Sequence, residues 1–373
     1  AAAVEPFRKV NINGVRICVH VNREEFYAAL DRAGIIVWQD FALQWGYIED
    51  VAVTQDAVVQ IRDMIRMLVN HPCIAVWCCQ NESTFHNKYI LDPVLAQAAA
   101  MEDGSRYIRV ISEFSEHTYC GWYGGHYRDY SALPATPILT EFGAQALPNV
   151  DYMKEMIGSN WPPDWKKMAY HDFQYDQTFN VANVPLGSKW EIFVENSQKY
   201  QSQLLKYAIE LYRQNKYKAL GGMFQFMFMD CWPSITWSVV GYDRQPKKGY
   251  HTLAQCYQPV LIGLNLERDT FINGTDLGSH PRPIVITTWI VNDFHKPLEN
   301  CSYSVSLKSD KRAIEVNQNQ AFTVPMDGVL KHAPSLSISE VLPEGQYQLE
   351  LVLRTNEEVI STNRYEIKIV PAR

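Results

Sequence analysis

The sequence predicts an α/β barrel of parallel strands followed by an all-β sandwich. Strand-like and helix-like runs alternate up to about residue 260, whereas the later runs are all short and β-like. The stretch His71-Pro-Cys-Ile-Ala-Val-Trp-Cys-Cys-Gln-Asn-Glu82 reads as one of the buried strands. Pro72 stops any helix ending at Asn70, and residues 73–79 are apolar at both alternating positions, as a strand covered on both faces of a parallel sheet must be. In such a barrel the chemistry sits at the C-terminal strand ends, which singles out Asn81 and Glu82.

The elements follow in order. Asn11-Ile-Asn-Gly14 is a turn signal before a strand at 15–21. A helix at 24–32 precedes a strand at 34–41. A long amphipathic helix is expected at 54–69, with Thr54 as N-cap and Val58, Ile61, Ile65 and Leu68 on its apolar face. Strands at 107–112 and 119–124 and a run ending at Glu141 come next. Residues 148–190, rich in Pro, Trp, Asp and Asn, read as a loop excursion with short helices that shapes the pocket. A helix at 188–214 and a strand at 221–229 complete this part. Beyond Pro259, β-type runs at 284–291, 301–307, 335–341, 347–353 and 365–370 have no helix between them, the pattern of an antiparallel sandwich. Trp289 is expected in its core, and Asn356-Glu357 at a solvated hairpin tip. The division expected is 1–262 and 263–373.

The 373 residues are 47% hydrophobic and 12% aromatic, enough for two well-filled cores. A net charge of −7 without a basic run excludes nucleic acid and anionic membrane as expected partners. No apolar stretch has the length of a membrane span, and the first residues lack a signal-peptide pattern. Eight scattered cysteines form neither a metal-type spacing nor a disulfide framework, which points to a reducing, cytoplasmic location. Asn81-Glu-Ser83 fits the glycosylation pattern in a place where a glycan has no room, so Asn273-Gly-Thr275 is the better acceptor.

A second carboxylate gives Glu82 a partner. Pro137-Ile-Leu-Thr-Glu141-Phe-Gly-Ala is a short apolar run ending in Glu141, and two carboxylates in one cleft suit glycoside hydrolysis. The pattern His-Pro-x-Ile-x-x-Trp-x-x-x-Asn-Glu, followed about sixty residues on by Thr-Glu-Phe-Gly, resembles glycoside hydrolase family 2. That family holds retaining β-galactosidases, β-glucuronidases, β-mannosidases and exo-β-glucosaminidases. Gly34-Ile-Ile-Val-Trp-Gln-Asp-Phe41 and Phe224-Gln-Phe-Met-Phe-Met-Asp-Cys-Trp-Pro-Ser-Ile-Thr-Trp237 resemble its β-mannosidase and exo-β-glucosaminidase side.

The resemblance implies a (β/α)8 TIM-type barrel and a C-terminal immunoglobulin-like sandwich. It makes Glu141 the nucleophile and Glu82 the acid/base, with the charge of Glu141 helping to keep Glu82 protonated. Asn81 is expected to bind the sugar 2-hydroxyl, and Tyr119 to hydrogen-bond the nucleophile, although the family's Asn two residues earlier is His117 here. Trp232 and Trp38 are candidate stacking platforms. Asp40 is a candidate for binding a hydroxyl or amine, or for pairing with an arginine, and His20 for a place on the catalytic face. Trp77 is expected to pack. No cofactor and no metal are expected.

By this resemblance the strand at 15–21 is the second of the barrel, so the first strand is lacking. A fragment, a processed subunit or a split-gene product is therefore expected, with a second polypeptide or another part of the precursor supplying that strand. The function expected is a retaining exo-β-glycosidase acting on β-mannosides or related β-glycosides. Exo-β-glucosaminidase and β-galactosidase are alternatives within the enzyme class, and a non-catalytic sugar-binding subunit is the alternative outside it.

Overall fold

A computed structural model describes residues 4–371 except 49, 133–135, 219, 267, 273–286, 310–312 and 333–341. The expected strand at 335–341, the start of the one at 284–291 and the acceptor Asn273 lie outside the described residues. Chain contacts divide the protein into two compact units, Ala1–Ala208 with Ala219–Ala254, and Ile209–Lys218 with Gln255–Arg373.

In the first unit, β1 (Gly14–Ile17), β2 (Ile36–Asp40), β3 (Ile74–Cys78) and β4 (Tyr107–Arg109) form a parallel sheet in that order. Two parallel pairs continue the strand set: β5 (His117–Thr118) with β7 (Glu141–Phe142), and β6 (Ile138–Leu139) with β8 (Gly222–Met223). Helices Glu24–Ala33, Val51–Leu68 and Leu91–Glu102 fall between successive strands of the four-stranded sheet. The first of these starts on Glu24 and Glu25, favourable at a helix N-terminus, and stops at Gly34, whose φ of 67° is the left-handed cap that glycine adopts without strain.

The cap expected at Thr54 lies four residues earlier. Asp50 accepts the N–H of Ala52 through its side chain, and Thr54 instead donates its hydroxyl to the Asp50 carbonyl, inside the first turn. Ile61, Ile65 and Leu68 are buried as expected, joined by Ala57 and Met64, while Val58 is only half-buried.

The strand expected at 119–124 is also displaced. It forms at His117–Thr118 because residues 119–124 turn: Trp122 and Tyr123 both donate their N–H to the Tyr119 carbonyl, and Gly121 has φ 78°. A Cβ at Gly121 would lie 2.6 Å from the Tyr127 nitrogen, so this turn requires glycine. The strand expected at 221–229 is shorter, Gly222–Met223. Trp77 packs as expected: it is fully buried and donates to Asp103 at 2.8 Å.

The second unit is antiparallel apart from one edge pair. Its strands are β9 (Val260–Asn265), β10 (Thr270–Ile272), β11 (Thr287–Asn292), β12 (Leu298–Lys308), β13 (Ala313–Val324), β14 (Gly328–His332), β15 (Gly345–Thr355) and β16 (Glu358–Val370). They form two sheets, ordered β10-β16-β15-β12-β13 and β14-β11-β9, with β10 and β16 parallel. Ile262 and Ile290 from one sheet and Val305, Leu349, Leu351 and Ile367 from the other share one core. Trp289 is fully buried against Gly263, where any Cβ would collide with the indole. Asn356 and Glu357 form the exposed tip between β15 and β16 with φ 46° and 71°, the two-residue turn whose twist suits a hairpin.

Candidate active site

Parallel strands point their C-terminal ends the same way, and the polar residues there converge. Arg16 comes from β1, Asp40 from the end of β2, Asn81 and Glu82 from just beyond β3, His117 from β5, Tyr119 just after it, and Glu141 from β7. Glu82, His117 and Glu141 each place one ligand-capable atom within 4.8 Å of the others.

Each carboxylate has its own set of donors. Glu141 accepts Arg16 Nη1 at Oε1 (2.7 Å) and the Tyr119 hydroxyl at Oε2 (2.7 Å). Glu82 meets His117 Nδ1 at Oε1 (2.7 Å) and accepts Trp45 Nε1 at Oε2 (3.1 Å). His117 Nε2 lies 3.1 Å from the Ser112 hydroxyl and 3.6 Å from Glu141 Oε1, so the imidazole stands between the carboxylates. Behind it Ser112 and Thr140 hydrogen-bond each other and Glu116, and Glu116 pairs with Arg109.

Arg16 ties the floor together. Its side chain is 3% exposed and meets Asp40 (2.7 Å), Glu141, the Thr140 carbonyl and Asn81 Oδ1 (2.7 Å). Burial works against its charge, but its neighbours, Asp40 foremost and Glu141 among them, outweigh burial and raise its pKa further, so it stays cationic. Burial, aided by Glu141, pushes the Tyr119 hydroxyl well up, which keeps it a neutral donor.

Glu82 departs from the expectation that it is held protonated. Burial is the largest influence and raises its pKa. The hydrogen bond and charge of His117, the Trp45 N–H and the charge of Arg16 together outweigh burial, and the carboxyl lies below its ordinary value. Glu82 also has φ 48°, a left-handed backbone costing on the order of 1–3 kcal/mol for such a residue. Its N–H donates to the Ser112 carbonyl at 2.7 Å, which helps hold that conformation.

Three expected binding residues are occupied elsewhere. Asp40 is fully buried and held by Arg16, the Trp38 indole and the Val19 N–H, so it pairs with an arginine and is not open to a hydroxyl. Trp38 is 4% exposed, donates to Asp40 and lies edgewise to Phe224, which makes it a packing residue and not a platform. His20 is exposed, and its hydrogen bonds are local, to the Cys18 carbonyl and Asn22. Trp232 is 40% exposed with its ring stacked on His171. Asn81 is 4% exposed, leaving no room for a glycan.

Sequence reasoning overlooked Arg16 and Trp45. Nothing in the spacing joins Arg16 to residues 65 and 125 positions away; only the strand order does. The departure at His117 was a signal, since a residue that close to Tyr119 had to enter the same network. The sequence shows no clustered metal-type set, yet the fold makes one from Glu82, His117 and Glu141. Arg16 already places a fixed positive charge on the Glu141 oxygen of that set.

Residues 3–179 match the family model "Glycosyl hydrolases family 2, TIM barrel domain". The chain is similar to β-mannosidase B of Emericella nidulans, 22% identical over 83% of this chain and 43% of that protein. It is likewise similar to β-mannosidase B of Aspergillus niger, 22% identical over 74% of this chain and 38% of the relative. The chain thus spans less than half the length of these curated relatives. Among solved structures, the β-D-mannosidase of Dictyoglomus thermophilum superposes with a TM-score of 0.76 at 20% identity, over 98% of this chain and 47% of that one. The exo-chitosanase of Amycolatopsis orientalis does so with a TM-score of 0.73 at 13% identity, over 98% and 46%. At these identities the superpositions speak to the fold. Residues 3–179 thus resemble the TIM barrel domain of glycoside hydrolase family 2, and the chain resembles the β-mannosidase and exo-β-glucosaminidase side of that family.

Proposed function

We propose that the protein carrying this chain is a retaining exo-β-glycosidase of β-mannosides or closely related β-glycosides. The observation that carries this reading is the pair Glu82 and Glu141, with one carboxylate oxygen of each within 4.8 Å of the other, at the ends of β3 and β7. Retaining enzymes hold their carboxyl groups about 5–5.5 Å apart, whereas inverting ones need about 6.5–9.5 Å to admit a water. The likeness to β-mannosidases supports the substrate class.

Glu141, oriented by Arg16 and Tyr119, attacks the anomeric carbon. As its ester bond forms, the bond to the leaving oxygen breaks, and that oxygen takes the proton of Glu82. Water then adds to the anomeric carbon, Glu82 takes its proton, and Glu141 leaves as the carboxylate. Asn81 gives its amide oxygen to Arg16, which leaves its N–H groups as donors for the sugar 2-hydroxyl.

Among the described residues β1 pairs with β2 alone and β8 with β6 alone, which supports a further strand, from a second polypeptide or another part of a precursor, between β1 and β8. An immunoglobulin-like scaffold is the reading of the two-sheet unit, and a reducing compartment fits eight free thiols. Replacing Glu141 with Ala should abolish turnover of an aryl β-mannoside, and azide should partly restore Glu82→Ala. Full activity in Glu141→Ala contradicts the assignment, and sugar binding without turnover in the parent protein favours a binding subunit.

A further inference from the structure

Trp45 has no part in the two-carboxylate scheme, yet it touches Glu82. Its indole N–H donates to Glu82 Oε2 at 3.1 Å while the residue is 58% exposed. The backbone beneath it is fixed. Trp45 N–H donates to the Asn81 carbonyl (2.9 Å), and the Trp45 carbonyl accepts Thr84 N–H (3.0 Å) and Gln80 Nε2 (2.9 Å). All three partners belong to the segment that carries Glu82. With φ 62°, Trp45 also has a left-handed backbone that a bulky residue adopts only where its surroundings impose it, and a Cβ on the next residue, Gly46, would lie 2.8 Å from the Thr84 hydroxyl.

The two oxygens of Glu82 therefore differ. Oε1 is held by His117, whose side chain is 1% exposed, toward the nucleophile Glu141. Oε2 faces the exposed indole. The sugar ring must lie over the nucleophile, and its leaving group beyond the acid, so the outer oxygen is the one that meets the glycosidic oxygen. An indole N–H donates and cannot accept. It stabilises Glu82 as the carboxylate, the form needed to activate water in the second step. It opposes the protonated form that the first step needs.

We propose that Trp45 reads the leaving group: it holds Glu82 Oε2 before substrate binds, yields that oxygen to the glycosidic oxygen, and offers its exposed face to a ringed leaving group, aromatic or pyranose. This rests on Glu82 being the acid/base. Tyr47, 36% exposed, and Ile48, 81% exposed, follow Trp45 in the same loop, and apolar and aromatic surface of this kind suits the C–H face of a sugar or an aryl ring. The other titratable or charged groups acting around Glu82 are His117, Arg16, Glu141, Cys18, Tyr119 and Tyr123, none of which Trp45 substitutions alter.

The test compares Trp45→Phe and Trp45→Ala in the protein that carries this chain, using methyl, nitrophenyl and mannobiose β-mannosides across pH. Trp45→Phe keeps a ring and removes the donor, so the basic limb of kcat/KM on the methyl glycoside should move to higher pH. Trp45→Ala should move that limb likewise and also lower the preference for ringed over methyl leaving groups, roughly two- to tenfold for a lost aromatic contact. An unmoved limb in both variants, or an equal loss on all three substrates, overturns the proposal and marks Trp45 as structural. Glu82→Ala, run in parallel with azide, separates the two readings. If it keeps the basic limb of the parent, the acid/base assignment fails and the role of Trp45 falls with it. If that limb disappears while both Trp45 variants behave as the parent, Trp45 alone is wrong.

Discussion

Replacing Arg16 with Ala should damage stability and activity together. The guanidinium is 3% exposed between Asp40, 0% exposed, and Glu141, 7% exposed, with Asn81 and the Thr140 carbonyl as further acceptors. Its loss leaves two buried carboxylates without their cation, a class of change that costs about 3–5 kcal/mol. For a unit of this size each kcal/mol lowers Tm by about 2–4 °C, so the variant should melt roughly 6–20 °C below the parent. Arg16→Lys supplies one charge that cannot fork to both carboxylates and Asn81, and should fall between the two. The double variant Arg16→Ala, Asp40→Ala should recover part of the loss, because it removes one of the stranded charges. Urea titrations with unchanged m-values provide the comparison. A loss below about 1 kcal/mol in Arg16→Ala refutes the buried ion-pair account, since that is the range of an exposed pair.

Tyr119→Phe removes the 2.7 Å donor to Glu141 Oε2 and should lower kcat roughly ten- to hundredfold with the fold intact by circular dichroism, the effect of a hydrogen bond to a charged group. Asp92 is fully buried, and neither carboxylate oxygen has a hydrogen-bond partner among the described residues; burial pushes the carboxyl from 3.8 up to about 6, against the weaker pull of Ser83 and Lys88. The folded protein therefore binds this proton more tightly than the unfolded chain, so stability is lost as pH rises from about 4 through about 6. Asp92→Asn should be more stable than the parent at pH 7 by about 2–3 kcal/mol and equal to it below pH 4, as read by denaturant unfolding at both pH values.

The strand ends that carry Asn81, Glu82 and Glu141 were legible because short apolar runs stop abruptly at polar residues. The strands themselves were less so: β5 to β8 are two residues each, too short for any periodicity to mark. The helix Leu91–Glu102 escaped notice for a related reason. Its interior is largely alanine, so no polar face contrasts with an apolar one. For Asp40 pairing with an arginine was one of the readings left open, and it is the one found, whereas Trp38 was expected to stack on a sugar and instead packs and donates to Asp40. Sequence shows which residues reach a strand end, whereas Arg16, lying on the neighbouring strand, determines what Asp40 meets there. Trp45 was invisible for the same reason, being a loop residue whose hydrogen bonds to Glu82 and its neighbours are made across 35 to 39 positions.

The role of Glu141 is tested most directly by covalent trapping. The protein that carries this chain, incubated with an activated 2-deoxy-2-fluoro-β-mannoside, should gain the mass of one fluoroglycosyl group, and peptide mapping should place the ester on Glu141. Attachment at another residue, or an inverted anomer released from an ordinary β-mannoside, contradicts the account.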